Sequence, residues 1–394
     1  MTKTRIAVLT VAATVGLLVA IAPGLLTRTV AGSLNQTVDV DYPEPSAEAQ
    51  RIHDELMVAD LHADALLWDR DLLKRAEYGH VDFPRMVEGR VGLQAFTAVT
   101  KTPSDMNIDA NTGDTDQIRF LAIAQAWPPR TWTSLTERAV HQADKLAGAA
   151  ERSADAFVII RTAADLTSFM ARRERESEAA LAGFLGIEGA HALEGDLANV
   201  DRLFEAGYRM FGLTHFFDNE VGGSAHGVER GGLTGFGHDV LDRMDELGIA
   251  VDVAHAAPAL IDAVLDRATR PVLVSHTGLK GTCDNQRNLD DERLRRIAAT
   301  GGVVGIGLWG VALCGETPKD WARAVRHGVT IAGVDHIGIG SDWDGAVTTM
   351  IDASGTVHLT AALMDEGFTP DEIARIMGGN VVRALSETLP PGGS

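Results

Sequence analysis

The chain alternates short apolar runs, often rich in β-branched residues, with longer segments whose apolar residues recur at helical spacing. Runs of the first kind are typical of buried strands, and segments of the second kind of amphipathic helices. The predicted strands lie at residues 57–62, 93–99, 183–188, 210–215, 250–255, 272–276, 303–308 and 336–342. Because strands that alternate with helices form a parallel sheet, these eight strands predict a closed (β/α)₈ barrel.

A long stretch from 100 to 182 separates the second predicted strand from the third. Most of it has helical periodicity, so we expect a largely helical insertion in the barrel. A further apolar run at 156–160 predicts one strand outside the eight. Ser134 and Thr369 each precede a glutamate by three residues, which is the spacing of the capping box at a helix N-terminus.

The first residues have the charge and hydrophobicity pattern of an export signal. Lys3 and Arg5 precede an apolar run at 6–26, which is long enough to span a bilayer. Small residues at 30–32 offer a cleavage site of the kind found after secretory signals. The pattern therefore predicts export, and it leaves cleavage and retention as a membrane anchor equally open.

We expect three parts in this chain of 394 residues. Residues 1–32 are predicted to be a signal peptide or membrane anchor, 33–45 a polar linker, and 46–390 one barrel domain. The protein is expected in the periplasm or outside the cell, and it would be attached to the membrane if the first segment is retained. A domain of this length can bury a large core without disulfides or structural metals.

Composition excludes some classes of function. The chain has 55 acidic and 35 basic residues and a formal net charge of -20. Such a charge repels phosphate backbones, so we expect no nucleic-acid partner. Its 2 cysteines are too few for a disulfide scaffold and lack zinc-finger spacing.

Histidines and acidic residues follow most of the predicted strands. They are His62 with Asp64, Glu188, His215, His255, His276 and Asp342. A single histidine at a strand end is more often a core or capping residue than a ligand. In a barrel, however, the carboxyl ends of all strands converge on one rim, where active sites lie. Imidazoles with carboxylates suit zinc, and burying several carboxylates without a cation is costly, so the set predicts a metal centre.

Two of these positions have informative neighbours. His62 and Asp64 are alternate residues, so both side chains lie on one face of a strand and can bind one ion. Glu188 stands between two glycines, where a carboxylate could bridge two ions. His191 follows in a loop, and we expect a structural role for it.

Taken in order, these segments resemble the bacterial branch of the membrane (renal-type) dipeptidase family of zinc peptidases. The resemblance runs from about residue 50 to residue 388. The matching segments are DLHAD at 60–64, GIEG at 186–189, LTH at 213–215, DVAH at 252–255, SH at 275–276, CDNQRN at 283–288, GSDWDG at 340–345 and GN at 379–380. Each segment is short, but their order and their positions at strand ends make the set specific.

The resemblance implies two zinc ions per chain and a dipeptide substrate. His62 and Asp64 would bind the first ion, and Glu188 would bridge both ions. His255 and His276 would bind the second. The family also implies that a water bridges the two ions and attacks the peptide bond.

The resemblance also implies roles in binding and proton transfer. His215 would contact the substrate and stabilise the developing oxyanion. Asp342 would take the proton of the bridging water and pass it to the leaving amine. Arg287 would pair with the terminal carboxylate of the dipeptide. From the residues alone, Arg287 could instead be a solvated surface charge and Asp342 a helix cap, with Asp344 competing for its role.

Other readings remain open at this point. Urease-like amidohydrolases usually carry two histidines on the first strand and a bridging lysine, and this chain has neither. A related zinc amidohydrolase that acts on another amide or a lactam is the main alternative. A non-catalytic binding protein would be expected to have lost ligands, and every matched position here is filled. The loop at 216–227 resembles bacterial members. His226 in it could contact substrate, but we expect it to be part of a flexible loop.

Members of the family from oxidising compartments can carry a disulfide in the region of the two cysteines. The resemblance therefore implies that Cys283 pairs with Cys314, in agreement with export. Spacing alone leaves two free buried thiols as the alternative. Many members form homodimers, and nothing in this sequence decides whether the chain does.

Overall fold

The computed structural model describes residues 27–175 and 179–392. The apolar run at 6–26 lies outside the described residues. Residues 27–34 are helical, and no helix in the described part of the chain is both long and apolar enough to cross a bilayer.

All strands of the described chain belong to one parallel sheet. They are β1 (Val58–Ala63), β2 (Val91–Val99), β3 (Phe157–Ile159), β4 (Leu181–Glu188), β5 (Tyr208–Gly212), β6 (Ala250–Asp252), β7 (Val272–Thr277), β8 (Val303–Ile306) and β9 (Ile337–Ile339). Pairing of β2 with β4 over seven residue pairs, the last of which is Val99 with Glu188, closes the sheet. The predicted eight-stranded (β/α)₈ barrel is thereby confirmed.

The short strand β3 is the extra strand that the sequence predicted. It pairs with residues 181–183 of β4, and β5 pairs with residues 185–187 of the same strand. Because both share one edge of β4, β3 adds to the barrel wall without widening it. Every residue of β1, β2 and β4 is buried, as expected for a parallel sheet whose two faces are both covered.

Helices surround the barrel and fill the insertion between β2 and β4. The helices are α1 (Ala47–Asp54), α2 (Phe83–Glu88), α3 (Gln117–Ala124), α4 (Leu135–Arg152), α5 (Ala163–Arg175), α6 (Ala198–Glu205), α7 (Gly235–Leu247), α8 (Pro258–Leu265), α9 (Asp291–Ala299), α10 (Gly310–Leu313), α11 (Pro318–Ala332), α12 (Val357–Asp365), α13 (Pro370–Ala374) and α14 (Asn380–Thr388). A π-helical turn, Arg375–Gly379, joins the last two. The insertion holds α3, α4 and α5, in agreement with the predicted helical content.

The two predicted capping boxes differ in the structure. Thr369 and Glu372 cap α13 reciprocally, as expected. Ser134 accepts a hydrogen bond from the backbone N–H of Glu137 and so caps α4, but the Glu137 carboxylate binds Arg130 and does not return the bond. Only half of that box forms, because a charged partner lies within reach of the glutamate.

Residues 35–38, in the segment expected to be a linker, contact the loop after β9. The Asn35 side chain accepts a hydrogen bond from the Ala346 backbone N–H at 2.9 Å. The Val38 backbone N–H donates to the carbonyl of Thr349 at 2.9 Å. This segment therefore adds to the packing of the loop that carries Asp342.

Candidate metal centre at the barrel rim

Polar side chains from six barrel strands meet at the carboxyl-terminal rim. The residues that lie there are His62, Asp64, Glu188, His215, His255, His276 and Asp342. All of these side chains are buried. Their nitrogen and oxygen atoms form three overlapping groups, and within each group the atoms lie within 4.8 Å of one another. The structure thus brings together every position that the sequence proposed for the metal centre.

Glu188 lies at the middle of this cluster. Its Oε1 atom is 3.2 Å from His255 Nε2, 3.4 Å from the Nε2 atoms of His215 and His276, and 3.5 Å from His62 Nε2. One carboxylate oxygen therefore lies near four imidazole nitrogens that different strands supply. The following residue, Gly189, has a φ of 97°, and a Cβ atom there would lie 2.4 Å from the ring of His191. Glycine is required at this close approach.

Hydroxyl groups form hydrogen bonds with several of these side chains and fix their orientation. Ser275 Oγ lies 3.2 Å from His62 Nδ1 and 2.9 Å from His276 Nδ1. The hydroxyl of Thr97 donates to Asp64 Oδ1 at 2.6 Å. Because Ser275 engages both Nδ1 atoms, the Nε2 atoms of the two rings face the centre of the cluster. Sequence reasoning singled out neither hydroxyl, and the only signal for Ser275 was its position directly before His276.

Burial and mutual repulsion shift the pKa values of the acidic groups in the cluster. Burial raises the pKa of Glu188 well above its ordinary value, and the charge of Asp64 raises it further. Burial likewise raises the pKa of Asp342 to about 7. Burial opposes protonation of His62, but the charges of Glu188 and Asp64 outweigh it and raise the pKa of His62 to about 10. Without a cation, the acids thus draw a proton to this site.

The other three imidazoles are suited to bind a cation. Burial lowers the pKa values of His215, His255 and His276 well below the ordinary value, so these rings are neutral. Neutral imidazole and ionised carboxylate are the forms that bind metal. The Nε2 atom of His62 is also buried without a hydrogen-bond partner among the described residues. The donor set therefore fits divalent cations such as zinc.

The structure separates the two aspartates of the segment after β9. Asp342 lies in one group with His62 and His276. Asp344 is directed elsewhere: it forms a buried ion pair with Arg70 and accepts the backbone N–H of His80 at 2.8 Å. Asp344 therefore has a structural role, and Asp342 is neither a helix cap nor interchangeable with it.

The backbone around Asp342 is tightly bent. Asp342, Asp344 and Ala346 have φ values of 61°, 63° and 59°, in the left-handed region that side-chain-bearing residues rarely adopt. A Cβ atom at Gly345 would lie 2.1 Å from Asp342 Oδ1. The buried contacts of Asp344 keep this turn in place, and the turn directs Asp342 to the cluster.

Arg287 lies in the loop after β7 and is buried, so it is not a solvated surface charge. Its guanidinium donates to the carbonyl of His276 at 2.8 Å and to Thr277 Oγ1 at 3.3 Å. Burial lowers the pKa of Arg287 to about 10, which leaves the group charged at neutral pH. The structure thus holds one fixed positive charge beside the cluster.

Two further histidines lie close to the cluster. His191 is buried, and its ring lies tilted against Phe217 with 4.8 Å between the centroids; it does not belong to any group of candidate ligands in the described chain. His226 was expected in a flexible loop. The structure instead buries it beside Phe216 and His255, because backbone hydrogen bonds anchor the loop.

The predicted disulfide is present. Cys283 and Cys314 are bonded, and their Cα atoms are 5.3 Å apart. The bond joins the loop that carries Arg287 to the segment that follows α10. It therefore fastens two of the rim loops to each other.

The chain is similar to known proteins over most of its length. The profile of the membrane dipeptidase family (peptidase family M19) matches residues 46–389. Dipeptidase aclJ of Aspergillus oryzae is 26% identical over 351 residues, which cover 84% of this chain and 78% of that protein. Dipeptidase 3 of Mus musculus is 30% identical over 222 residues, which cover 52% of this chain and 44% of the mouse protein. The match to the mouse protein therefore spans less than half of its length.

Among solved structures, the fold is similar to that of a metallo peptidase from Rhodobacter sphaeroides, determined with a phosphinate mimic of the dipeptide L-Ala-D-Ala. The TM-score is 0.69 at 23% sequence identity, and the match covers 84% of this chain and 99% of that one. At this identity the likeness establishes a shared fold.

Proposed function

This chain belongs to the membrane dipeptidase family of metallopeptidases, and from that premise we propose that it hydrolyses the peptide bond of dipeptides with two zinc ions. The observation that carries the proposal is the position of Glu188 Oε1 within 3.5 Å of four imidazole nitrogens. Two further buried carboxylates, Asp64 and Asp342, complete the cluster. A buried group of this composition needs cations to balance its charge.

We assign His62, Asp64 and Glu188 to the first ion. The candidate ligand atoms of these three residues lie within 4.8 Å of one another. Glu188, His255 and His276 would hold the second ion, because the Nε2 atoms of both histidines lie within 3.4 Å of Glu188 Oε1. Glu188 is common to both sets and would bridge the ions.

The bound ions would supply Lewis acidity to the peptide carbonyl and lower the pKa of a nearby water. Asp342 would accept the proton of that water and deliver it to the leaving amine, because its carboxylate lies in one group with His62 and His276 at the ion sites. His215 would stabilise the charge that develops on the carbonyl oxygen. Its ring lies 4.8 Å from that of His255, at the edge of the second ion site.

Arg287 would bind the carboxylate at the end of the dipeptide. Its guanidinium is buried, charged and held by the carbonyl of His276, so it is oriented before substrate arrives. Trp309 lies under it, with the guanidinium carbon 5.8 Å from the ring centroid. A planar donor of this kind pairs well with a carboxylate.

A substrate panel tests the proposal. The zinc-loaded protein is assayed with L-Ala-L-Ala, L-Ala-D-Ala, the amide of L-Ala-L-Ala, tri-alanine and a β-lactam. We expect hydrolysis of free dipeptides and about 100-fold slower hydrolysis of the amide, since the amide lacks the carboxylate that Arg287 would bind. Hydrolysis of the β-lactam without hydrolysis of any dipeptide would contradict the proposal and favour a related amidohydrolase.

Arg287→Met provides the matched control for this panel. It should raise KM for free dipeptides while changing the rate for the amide little. An equal loss for the amide and the free dipeptide would show that Arg287 does not read the carboxylate.

We further propose that the chain is exported, with residues 1–32 as signal or anchor, 33–45 as connecting segment and 46–390 as the catalytic domain. The apolar run at 6–26 behind two basic residues supports export, and the Cys283–Cys314 disulfide suits an oxidising compartment. Mass spectrometry of the mature N-terminus decides between cleavage and retention. Sedimentation velocity of the purified protein determines whether it is a homodimer.

A further inference from the structure

The buried histidine His226 borders the metal centre without belonging to it. It lies in the loop after β5 and is 1% exposed. Its ring stacks on Phe216, with centroids 4.7 Å apart and planes inclined by 23°, and lies 5.2 Å from the ring of His255. Phe216 in turn contacts the ring of His215 at 4.7 Å. His226 thus adjoins two residues of the proposed catalytic centre.

Hydrogen bonding fixes the tautomer of His226. Its Nδ1 atom lies 2.8 Å from the carbonyl oxygen of Ile108. Because a carbonyl only accepts hydrogen bonds, Nδ1 carries the proton and Nε2 presents a lone pair. This Nε2 atom is buried and has no partner among the residues that the structure describes. An unpaired buried acceptor is unfavourable, so its retention beside a binding site points to a donor from outside the chain.

The backbone of His226 is held at both polar groups. Its N–H donates to Ser224 Oγ at 3.0 Å, and its carbonyl accepts from the Asn111 backbone N–H at 2.8 Å. The neighbouring Ala225 N–H donates to the carbonyl of His255 at 2.7 Å. The backbone at His226 is therefore fixed, and the ring cannot turn away without breaking its bond to Ile108, so its lone pair is in place before substrate binds.

The same contacts connect His226 to the loop of Arg287. The Ile108 carbonyl that accepts the proton of His226 also accepts a hydrogen bond from the side chain of Gln286. Gln286 directly precedes Arg287 in the chain. His226 and Arg287 therefore face the same part of the site.

We propose that His226 is a specificity-determining residue whose Nε2 atom accepts a hydrogen bond from the C-terminal half of the dipeptide. This inference rests on the proposed function, because Arg287 would hold the carboxylate of that same half. The donors available there are the peptide N–H and a hydroxyl, amide or ammonium group on the C-terminal side chain. Either the peptide N–H or the side-chain group could donate to this lone pair, and dipeptides that differ in these donors distinguish the two cases.

The test compares wild type with His226→Phe, which keeps an aromatic ring on Phe216 and removes the acceptor. The zinc-loaded proteins are assayed with Ala-Ala, Ala-Ser and Ala-Pro; Ala-Pro has no donor in its C-terminal half and is measured by its inhibition constant if it is not hydrolysed. We expect kcat/KM for Ala-Ser to fall about tenfold while Ala-Pro is unchanged. Ala-Ala falls with Ala-Ser if the donor is the peptide N–H and stays unchanged if the donor is the side chain.

Two control variants keep the test decisive. His226→Gln retains a donor and an acceptor and should keep the Ala-Ser to Ala-Pro ratio within about threefold of wild type. His238→Phe removes an exposed histidine of α7 and should leave all ratios unchanged. An equal loss for all three peptides in His226→Phe, or no loss for any, would overturn the inference. Failure of wild type to hydrolyse any dipeptide would instead overturn the proposed function.

Discussion

The Nε2 atoms of His255 and His276 lie 2.9 Å apart, although the two residues belong to different strands. Two ring nitrogens at this distance can share one proton at most, so at least one presents a bare lone pair to the other. The burial that lowers the pKa of both rings keeps them neutral, and Glu188 Oε1 lies within 3.4 Å of each. A metal ion that both rings bind through Nε2 would take the place of that shared proton.

The first prediction tests which of two histidines binds metal and which contacts substrate, because both lie equally close to Glu188. His215 and His276 each place Nε2 3.4 Å from Glu188 Oε1. His276→Ala should lower bound zinc from two ions to about one per chain, whereas His215→Ala should keep both ions and lose activity at least about 100-fold. Elemental analysis with dipeptide assays measures both quantities. If His215→Ala loses an ion and His276→Ala does not, then His215 is the metal ligand and His276 is the substrate contact.

The second prediction concerns the two aspartates after β9. Asp342→Asn should keep zinc bound and lower kcat by at least about 100-fold, because it removes the proton-transfer group. Asp344→Asn should lower the free energy of unfolding by about 3–5 kcal/mol, because it leaves the buried guanidinium of Arg70 without its carboxylate. Denaturant unfolding and steady-state kinetics measure these effects. Near wild-type turnover in zinc-loaded Asp342→Asn would refute the proton-transfer role.

The third prediction concerns the hydroxyl of Ser275, which contacts one proposed ligand of each ion. When His62 and His276 bind metal through Nε2, both carry a proton on Nδ1, and Ser275 Oγ accepts from both. Ser275→Ala should therefore weaken binding of both ions, each by about 10–100-fold. The affinity is measured by competition with a chromophoric chelator.

Ser341→Ala is the matched control for Ser275→Ala. The Ser341 hydroxyl is also buried, but its partners are Asp60 Oδ2 at 2.7 Å and the backbone carbonyl of His62 at 2.8 Å, and it does not bond to either imidazole. We expect it to lower stability while leaving zinc affinity within about threefold. Equal weakening of zinc binding by both variants would show that the effect of Ser275 is only structural.

The fourth prediction concerns stability in acid. His53 is buried in α1, where burial and the charge of Arg90 together lower its pKa from 6.5 to about 4. Between these values the unfolded chain binds a proton that the folded chain does not, so the contribution of His53 is complete above pH 6.5 and is lost as pH falls toward 4. From pH 7 to pH 4 the free energy of unfolding should fall in both proteins. The fall should be about 2–3 kcal/mol smaller in His53→Gln than in wild type.

Urea unfolding at the two pH values measures this difference. The exposed residue His238 provides the control, because His238→Gln should follow wild type at both pH values. If His53→Gln loses as much unfolding free energy as wild type, the acid sensitivity has another origin.

The sequence was sufficient to predict the barrel and to propose the centre because both depend on periodic signals. Six of the eight predicted strands ended in a histidine or an acidic residue, and parallel strands in a closed barrel direct those ends to one rim. Glu188 and His276 could thus be placed together although their loops share no local pattern. The extra strand β3 was also visible as an apolar run.

The features of the site that the sequence did not predict depend on the orientation of individual side chains. Asp342 and Asp344 could not be distinguished by spacing, because the left-handed backbone of their turn decides which one faces the metal centre. The position of Ser275 before His276 did not reveal its role, since that role requires two imidazoles from distant strands. His226 was expected in a flexible loop, and only the contact with Ile108 reveals a fixed acceptor.

Zinc titration of the metal-free protein tests the central claim most directly. Chelator-treated protein is titrated with zinc while bound zinc and the rate of Ala-Ala hydrolysis are recorded together. We predict no hydrolysis without metal and a rate that rises until two ions are bound per chain. Hydrolysis at an undiminished rate by the metal-free protein, or failure of the folded protein to bind zinc, would contradict the account.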